Sequence, residues 1–149
     1  MRPPSEGLAA GLLIAGHRLG RLLDAELAPL GLSAAEAMVL RELQRTPLTM
    51  SGVMRVLSIT ASTATSLVTR LEKRGHVHRR VNPDDARSFL VDPTEVGRRL
   101  STQAADAFAR VDALLGAADP RGVSRLGAVL AVLDQAATPS PAGAAPPGA

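Results

Sequence analysis

The sequence predicts a mainly α (α+β) fold in which six helices surround one two-stranded hairpin. Two observations carry the prediction. Apolar residues recur at three- and four-residue steps through most of the 149 residues. That period fails between His76 and Val91, where two strand-like runs, HVHRRV and RSFLV, flank a turn at Asn82-Pro83-Asp84-Asp85.

The first helix is expected from Gly7 to Ala28, with Leu8, Leu12, Ala15, Leu19, Leu22 and Leu23 on one stripe. Leu13, Ile14 and Leu27 widen the stripe beyond one intramolecular face, so a partner helix, from this chain or from another subunit, is expected to cover the excess. Pro29-Leu30-Gly31 breaks the chain. Ser33-Ala34-Ala35-Glu36 then reads as a capping box that opens a second helix reaching about Arg45. A short third helix starts at Thr49 and ends near Leu57. Ser58-Ile59-Thr60 turns the chain, and Thr60 caps a fourth helix that stops at Arg74-Gly75.

In the fourth helix Ala64, Leu67, Val68 and Leu71 lie at i, i+3, i+4 and i+7 and so face a core. The opposite face carries Ser62, Thr63, Ser66, Arg70 and Lys73. Asp92-Pro93-Thr94-Glu95 opens the fifth helix, with Asp92 as cap and Pro93 at the first helical position. Its stripe runs through Val96, Leu100, Ala104, Ala107, Phe108, Val111, Leu114 and Leu115. A sixth helix starts at Asp119-Pro120 and carries Val123, Leu126, Val129, Leu130 and Leu133 on one side.

Composition narrows the function. There is no cysteine, which excludes a disulfide framework and thiolate metal sites. Two Phe and no Tyr or Trp leave no stacking platform for single-stranded nucleic acid. No apolar run spans a bilayer and no leader is recognisable, so a cytoplasmic protein is expected. Between Arg55 and Arg87 seven cations (Arg55, Arg70, Lys73, Arg74, Arg79, Arg80, Arg87) face three anions (Glu72, Asp84, Asp85), which leaves +4 there against +3 for the whole chain. A local excess of this kind fits a polyanionic partner, the alternative being a solvated helix face.

Helix, tight turn, helix and hairpin with cations on the hairpin together describe a winged helix-turn-helix. The string LVTRLEKRGHVHRRVNPDDARSFLVDPTEVG resembles the MarR family of winged helix-turn-helix transcriptional regulators. The match rests on Leu71-Glu72-Lys73-Arg74-Gly75, Asp85-x-Arg87, Thr94-Glu95-x-Gly97 and Gly31-Leu32-Ser33 in preserved order, and the element order is similar over about residues 8–137. The resemblance implies a homodimer built by residues 7–30 and 93–137 and a DNA-binding region at 31–92; residues 1–6 are left as an N-terminal arm, and the uncharged Ala/Pro/Gly tail at 138–149 cannot bury a core and is expected to be disordered. It also implies two recognition helices in successive major grooves of a pseudo-palindromic double-stranded operator, about 34 to 36 Å apart.

The expected DNA-binding residues are Thr60, Ala61, Ser62, Thr63, Thr65 and Ser66 at the start of the reading helix, and Arg70, Lys73 and Arg74 on phosphates at its end. Arg79 and Arg80 follow as wing-strand cations. By resemblance Arg87 is a minor-groove probe oriented by Asp85. The chain departs from the family's common pattern at Ala61 and Ser66, where longer side chains are usual, and at Gly52 and Met54 of the third helix. Specificity is therefore expected to rest more on the wing and on DNA shape.

The family often takes a small anionic or aromatic effector, for which His17, Arg18, Met38 and Arg41 are the candidates. His76 and His78 alternate along a strand and so share a side, but no third or fourth ligand accompanies them. They read as wing histidines beside DNA, and neither a metal nor a cofactor is expected. No phosphate loop, catalytic triad or paired carboxylate points to an enzyme. The expected function is a homodimeric regulator, a repressor released by a small-molecule effector. The alternative is a winged-helix protein-interaction module that has lost specific DNA binding.

Overall fold

The computed structural model describes residues 7–119 and 121–137. The expected arm 1–6, the tail 138–149 and the Pro120 helix start lie outside the described residues. The chain divides into two compact units after Val111.

The first unit begins with α1 (Leu8–Leu27), a 3-10 turn at Ala28–Leu30, and Gly31 in the left-handed region at φ 65°. The sequence expectation for α1 holds to within a residue at each end, but its burial differs. Leu27, counted as excess, is fully buried together with Leu23, whereas Leu8, Leu13, Ile14, Leu19 and Leu22 are exposed. The C-terminal end of α1 joins the core, and most of its stripe is free to meet something else.

Ser33 and Glu36 form the expected capping box at the start of α2 (Ala34–Leu43), which ends two residues before the expected Arg45. Thr49 accepts from the Gly52 amide at 3.0 Å and caps α3 (Met50–Leu57). Ser58, at φ 52°, then turns the chain, and Thr60 accepts from the Thr63 amide to cap α4 (Ala61–Lys73). Ala64, Leu67, Val68 and Leu71 of α4 are all buried, as their spacing requires. They pack with Leu27, Val39, Leu40, Val53, Val77 and Val91 in one hydrophobic core.

The hairpin has β2 (Val77–Asn82) paired antiparallel with β3 (Asp85–Pro93). Its two strands gain a third that the sequence did not announce. β1 (Leu48–Thr49) pairs with β3 at Val91 and Leu90, giving the order β1-β3-β2. A two-residue strand has no alternation to read, because its pairing is decided by a partner about forty positions away.

The start of α5 (Glu95–Ala118) corrects the expected cap. Asp92 and Pro93 belong to β3, paired with His78 and Val77, and the cap is Thr94, whose hydroxyl oxygen accepts from the Gly97 amide at 3.1 Å. The stripe of α5 also shifts: Val96 is exposed, while Gly97, Ser101, Ala104, Ala107 and Val111 are buried. Glu26 of α1 accepts from Arg110 of α5 at 2.8 Å.

The second unit holds the end of α5 and α6 (Gly122–Ala137). Asp119 accepts from the Arg121 amide at 3.0 Å. Leu114, Leu115, Leu126, Leu130, Val132 and Leu133 are exposed and Val129 is half-buried, so most of the apolar stripe among the described residues is uncovered.

Candidate nucleic-acid interface

Ala61, Ser62, Thr63, Thr65, Ser66, Arg70 and Lys73 are exposed along one side of α4, with the buried stripe behind them. The N-terminal half of that face is smooth, since no side chain there is longer than threonine. The Thr60 hydroxyl lies 2.9 Å from Thr63 Oγ1 and 3.2 Å from Ser62 Oγ, so the first turn presents a knot of hydroxyls around its cap.

The wing turn is held by its own side chains. Asn82 Oδ1 accepts from the Asp84 amide at 3.0 Å, Asn82 Nδ2 donates to Ser88 Oγ at 3.0 Å, and Ser88 donates to the Asp85 carbonyl at 3.1 Å. Asp85 Oδ1 accepts from the backbone amide of Arg87 at 3.1 Å. The carboxylate thus holds the Arg87 backbone, and the Arg87 guanidinium has no side-chain partner among the described residues. Asp85 fixes where Arg87 emerges and leaves its charge free.

The remaining cations are not equivalent. Arg70 Nε lies 3.5 Å from Glu36 Oε1 and Arg74 Nη1 lies 3.4 Å from Glu36 Oε2. Arg74 Nη2 also donates to the Gly31 carbonyl. Arg79 pairs with Glu72 and donates to Thr69 Oγ1 at 3.2 Å. Arg80 Nε donates to Asp92 at 2.5 Å. Of the seven cations counted in this stretch four are therefore paired; Arg55, Lys73 and Arg87 are exposed and carry no ion pair among the described residues. The count of local charge missed this because Glu36 and Asp92 lie outside the counted window.

The two histidines separate. His78 is exposed on β2, whereas His76 precedes the strand and is buried, with Nδ1 lacking a partner. They do not share a side, because His76 sits under the junction with α5: its carbonyl accepts from the Thr94 amide at 3.0 Å and from the Thr94 hydroxyl at 3.1 Å. Burial, reinforced by the nearby Arg74 charge and only partly countered by Glu36, holds the His76 pKa below its usual 6.5. The unfolded chain then binds more protons than the folded one just below 6.5. His76 contributes stability that is complete above that value and is lost as pH falls through the folded pKa. Urea unfolding at neutral and mildly acidic pH should show wild type losing more stability on acidification than His76→Gln; equal losses would count against it.

Of the candidate effector residues, His17 and Arg18 are exposed on α1 with no hydrogen bond or ion pair among the described residues. Met38 is half-buried, and the Arg41 guanidinium stands over the Phe108 ring at 5.7 Å from its centroid. Phe108, which sequence reasoning placed only on an apolar stripe, is thus a neighbour of that candidate group. Among the described residues no three His, Asp or Glu side chains gather as a metal site, and no helix is long and apolar enough to cross a membrane.

Comparison with known proteins meets this geometry at the helix-turn-helix. A sequence model of the MarR family matches residues 30–88. The HTH-type transcriptional repressor Rv2887 of Mycobacterium tuberculosis is 32% identical over 115 residues, covering 74% of this chain and 78% of that protein. Wild-type MarR from E. coli in its apo form superposes with a TM-score of 0.71 at 26% identity, covering 86% of this chain and 97% of the other. The M. tuberculosis transcriptional regulator MOSR, solved in complex with DNA, gives a TM-score of 0.74 at 25% identity, covering 90% and 100%. With capping box, reading helix, wing and Thr94–Gly97 junction in the family's order, this chain belongs to the MarR family, whose members are transcriptional regulators and not enzymes.

Proposed function

We propose that the protein is a homodimeric, cytoplasmic regulator that binds a pseudo-palindromic double-stranded operator and represses transcription until a small-molecule effector releases it. One observation carries the DNA reading: the short-residue face of α4 and the unpaired Arg87 on a stiffened wing turn are exposed together. Thr60 and residues 61–66 of α4 meet base edges, Lys73 meets phosphate, and Arg87 enters the adjacent minor groove. The DNA complex of the related MOSR supports this reading, and the repressor name of Rv2887 supports its direction.

A second copy suits the exposed leucines of α1 and, separately, those of the second unit. Residues 7–30 and 93–137 are assigned to the dimer and 31–92 to DNA. His17, Arg18, Met38 and Arg41 remain the candidate effector residues. The pairing of four cations with carboxylates favours the other reading, a winged-helix protein-interaction module.

The test selects bound duplexes from a random pool, then compares wild type with Arg87→Ala by fluorescence anisotropy and measures the mass of the complex by sedimentation. Two chains per duplex and a loss of about tenfold or more in affinity for Arg87→Ala are expected, equivalent to ~1.4 kcal/mol. Equal affinity of the two proteins counts against the DNA-reading assignment, and retained dimerisation with no salt-sensitive binding selects the interaction module.

A further inference from the structure

Glu36 is a buried carboxylate, with its side chain 6% exposed, set between the start of α2 and the end of the reading helix. Its Oε2 accepts from the Ser33 amide at 3.0 Å, which completes the capping box. The same carboxylate faces Arg70 in the last turn of α4, its side chain 59% exposed, at 3.5 Å and the C-cap Arg74 at 3.4 Å. Arg74 is further tied to the Gly31 carbonyl. The capping requirement explains an Asp/Glu/Gln type at this position, but not why two arginines of the candidate DNA face converge on it.

We infer that Glu36 is a specificity-determining residue: together with the Gly31 carbonyl it withdraws Arg74 from the phosphate backbone, so that the reading helix binds more by sequence and shape than by general attraction to polyanions. The inference rests on the DNA-binding reading above. If both arginines turned to phosphates, a carboxylate shut away from water would be stranded without a counter-charge, which is strongly unfavourable. Phosphate binding gains chiefly from releasing counterions condensed on DNA, and a guanidinium neutralised by a carboxylate gains little by replacing them; the single Glu36 charge offsets one guanidinium, and Arg74 is the one also tied to Gly31. Lys73, unpaired between the two arginines, keeps that role. The arginines instead tie the end of α4 to the Gly31–Glu36 segment, which fixes how the helix is presented.

Charge withdrawal predicts the opposite sign from a merely structural role. Glu36→Gln keeps the acceptor for the Ser33 amide and removes only the charge. Its affinity for random duplex DNA should rise, and the slope of log affinity against log salt should steepen by about 0.9, for the one charge that Glu36 offsets. The ratio of operator to random-duplex affinity should fall. Arg74→Gln should keep the wild-type slope, whereas Lys73→Gln should lose about 0.9.

The measurement is fluorescence anisotropy of each full-length variant on the selected operator and on random duplex across a salt series, with circular dichroism to compare folding. An unchanged or shallower slope in folded Glu36→Gln overturns the inference. So does a slope lost in Arg74→Gln as in Lys73→Gln, which tests it even if Glu36→Gln does not fold. A wild type without salt-sensitive binding overturns the DNA-binding reading and this inference with it, while normal wild-type binding with either unexpected slope overturns the inference alone.

Discussion

Leu71→Ala is expected to destabilise the protein by about 3 kcal/mol, within the range of large-to-small changes in closed cores. Leu71 is fully buried on α4 among Leu67, Val68, Val77 and Val91, so the missing methyl groups leave a void that only backbone movement could close. Such movement is opposed from both ends of the helix, by the Thr60 cap and by Arg74 on Gly31 and Glu36. The cavity term is therefore expected in full. Urea unfolding followed by far-ultraviolet circular dichroism measures it, fluorescence being unsuited to a chain without Trp or Tyr. A loss below about 1 kcal/mol would show that the site collapses freely.

Gly97→Ala should destabilise by about 2 kcal/mol, although alanine is the better helix former. A Cβ on Gly97 would stand 2.0 Å from the His76 carbonyl oxygen and 3.0 Å from its carbon, both backbone atoms. Alanine returns ~1 kcal/mol of helix propensity. Against that stand overpacking, typically ~1–3 kcal/mol, and the two bonds from Thr94 to that carbonyl, each worth about 1 kcal/mol. Relief of the clash means pushing α5 off the start of β2, so the same bonds break. The urea midpoint should fall; a rise would mean that α5 can slide at no cost.

These two positions show what the sequence could and could not disclose. Leu71 was legible because helical spacing is a local property, and Ala64, Leu67 and Val68 repeat it in one element. The Ser33–Glu36 box, the Thr60 cap and the wing turn were legible for the same reason, since each is decided within four or five residues. Gly97 was visible only as part of a motif. Its physical cause is the His76 carbonyl, brought there by a hairpin.

Asp92-Pro93 carries a sound helix-start signal, but strand pairing with His78 and Val77 claimed both residues, and Asp92 went to Arg80. Thr94 was left to cap. The charge of Arg70, Arg74 and Arg80 was likewise hidden, because their neutralising partners are 34, 38 and 12 residues away. The candidate DNA face was therefore legible in its residue types and its exposure, and illegible in which of its cations are free.

The three-stranded order has a mechanical consequence for the wing. β3 is gripped on both sides at Leu90 and Val91, where β1 and β2 pair with it, and on one side from there to the tip, with an irregularity at Val81–Asn82. This makes the hairpin a cantilever: clamped at its root beside the core, with a stiff turn at its end, so that deflection is greatest where Arg87 sits. A tip of this kind can be displaced as one piece at small elastic cost, while the clamp confines that deflection to the hairpin.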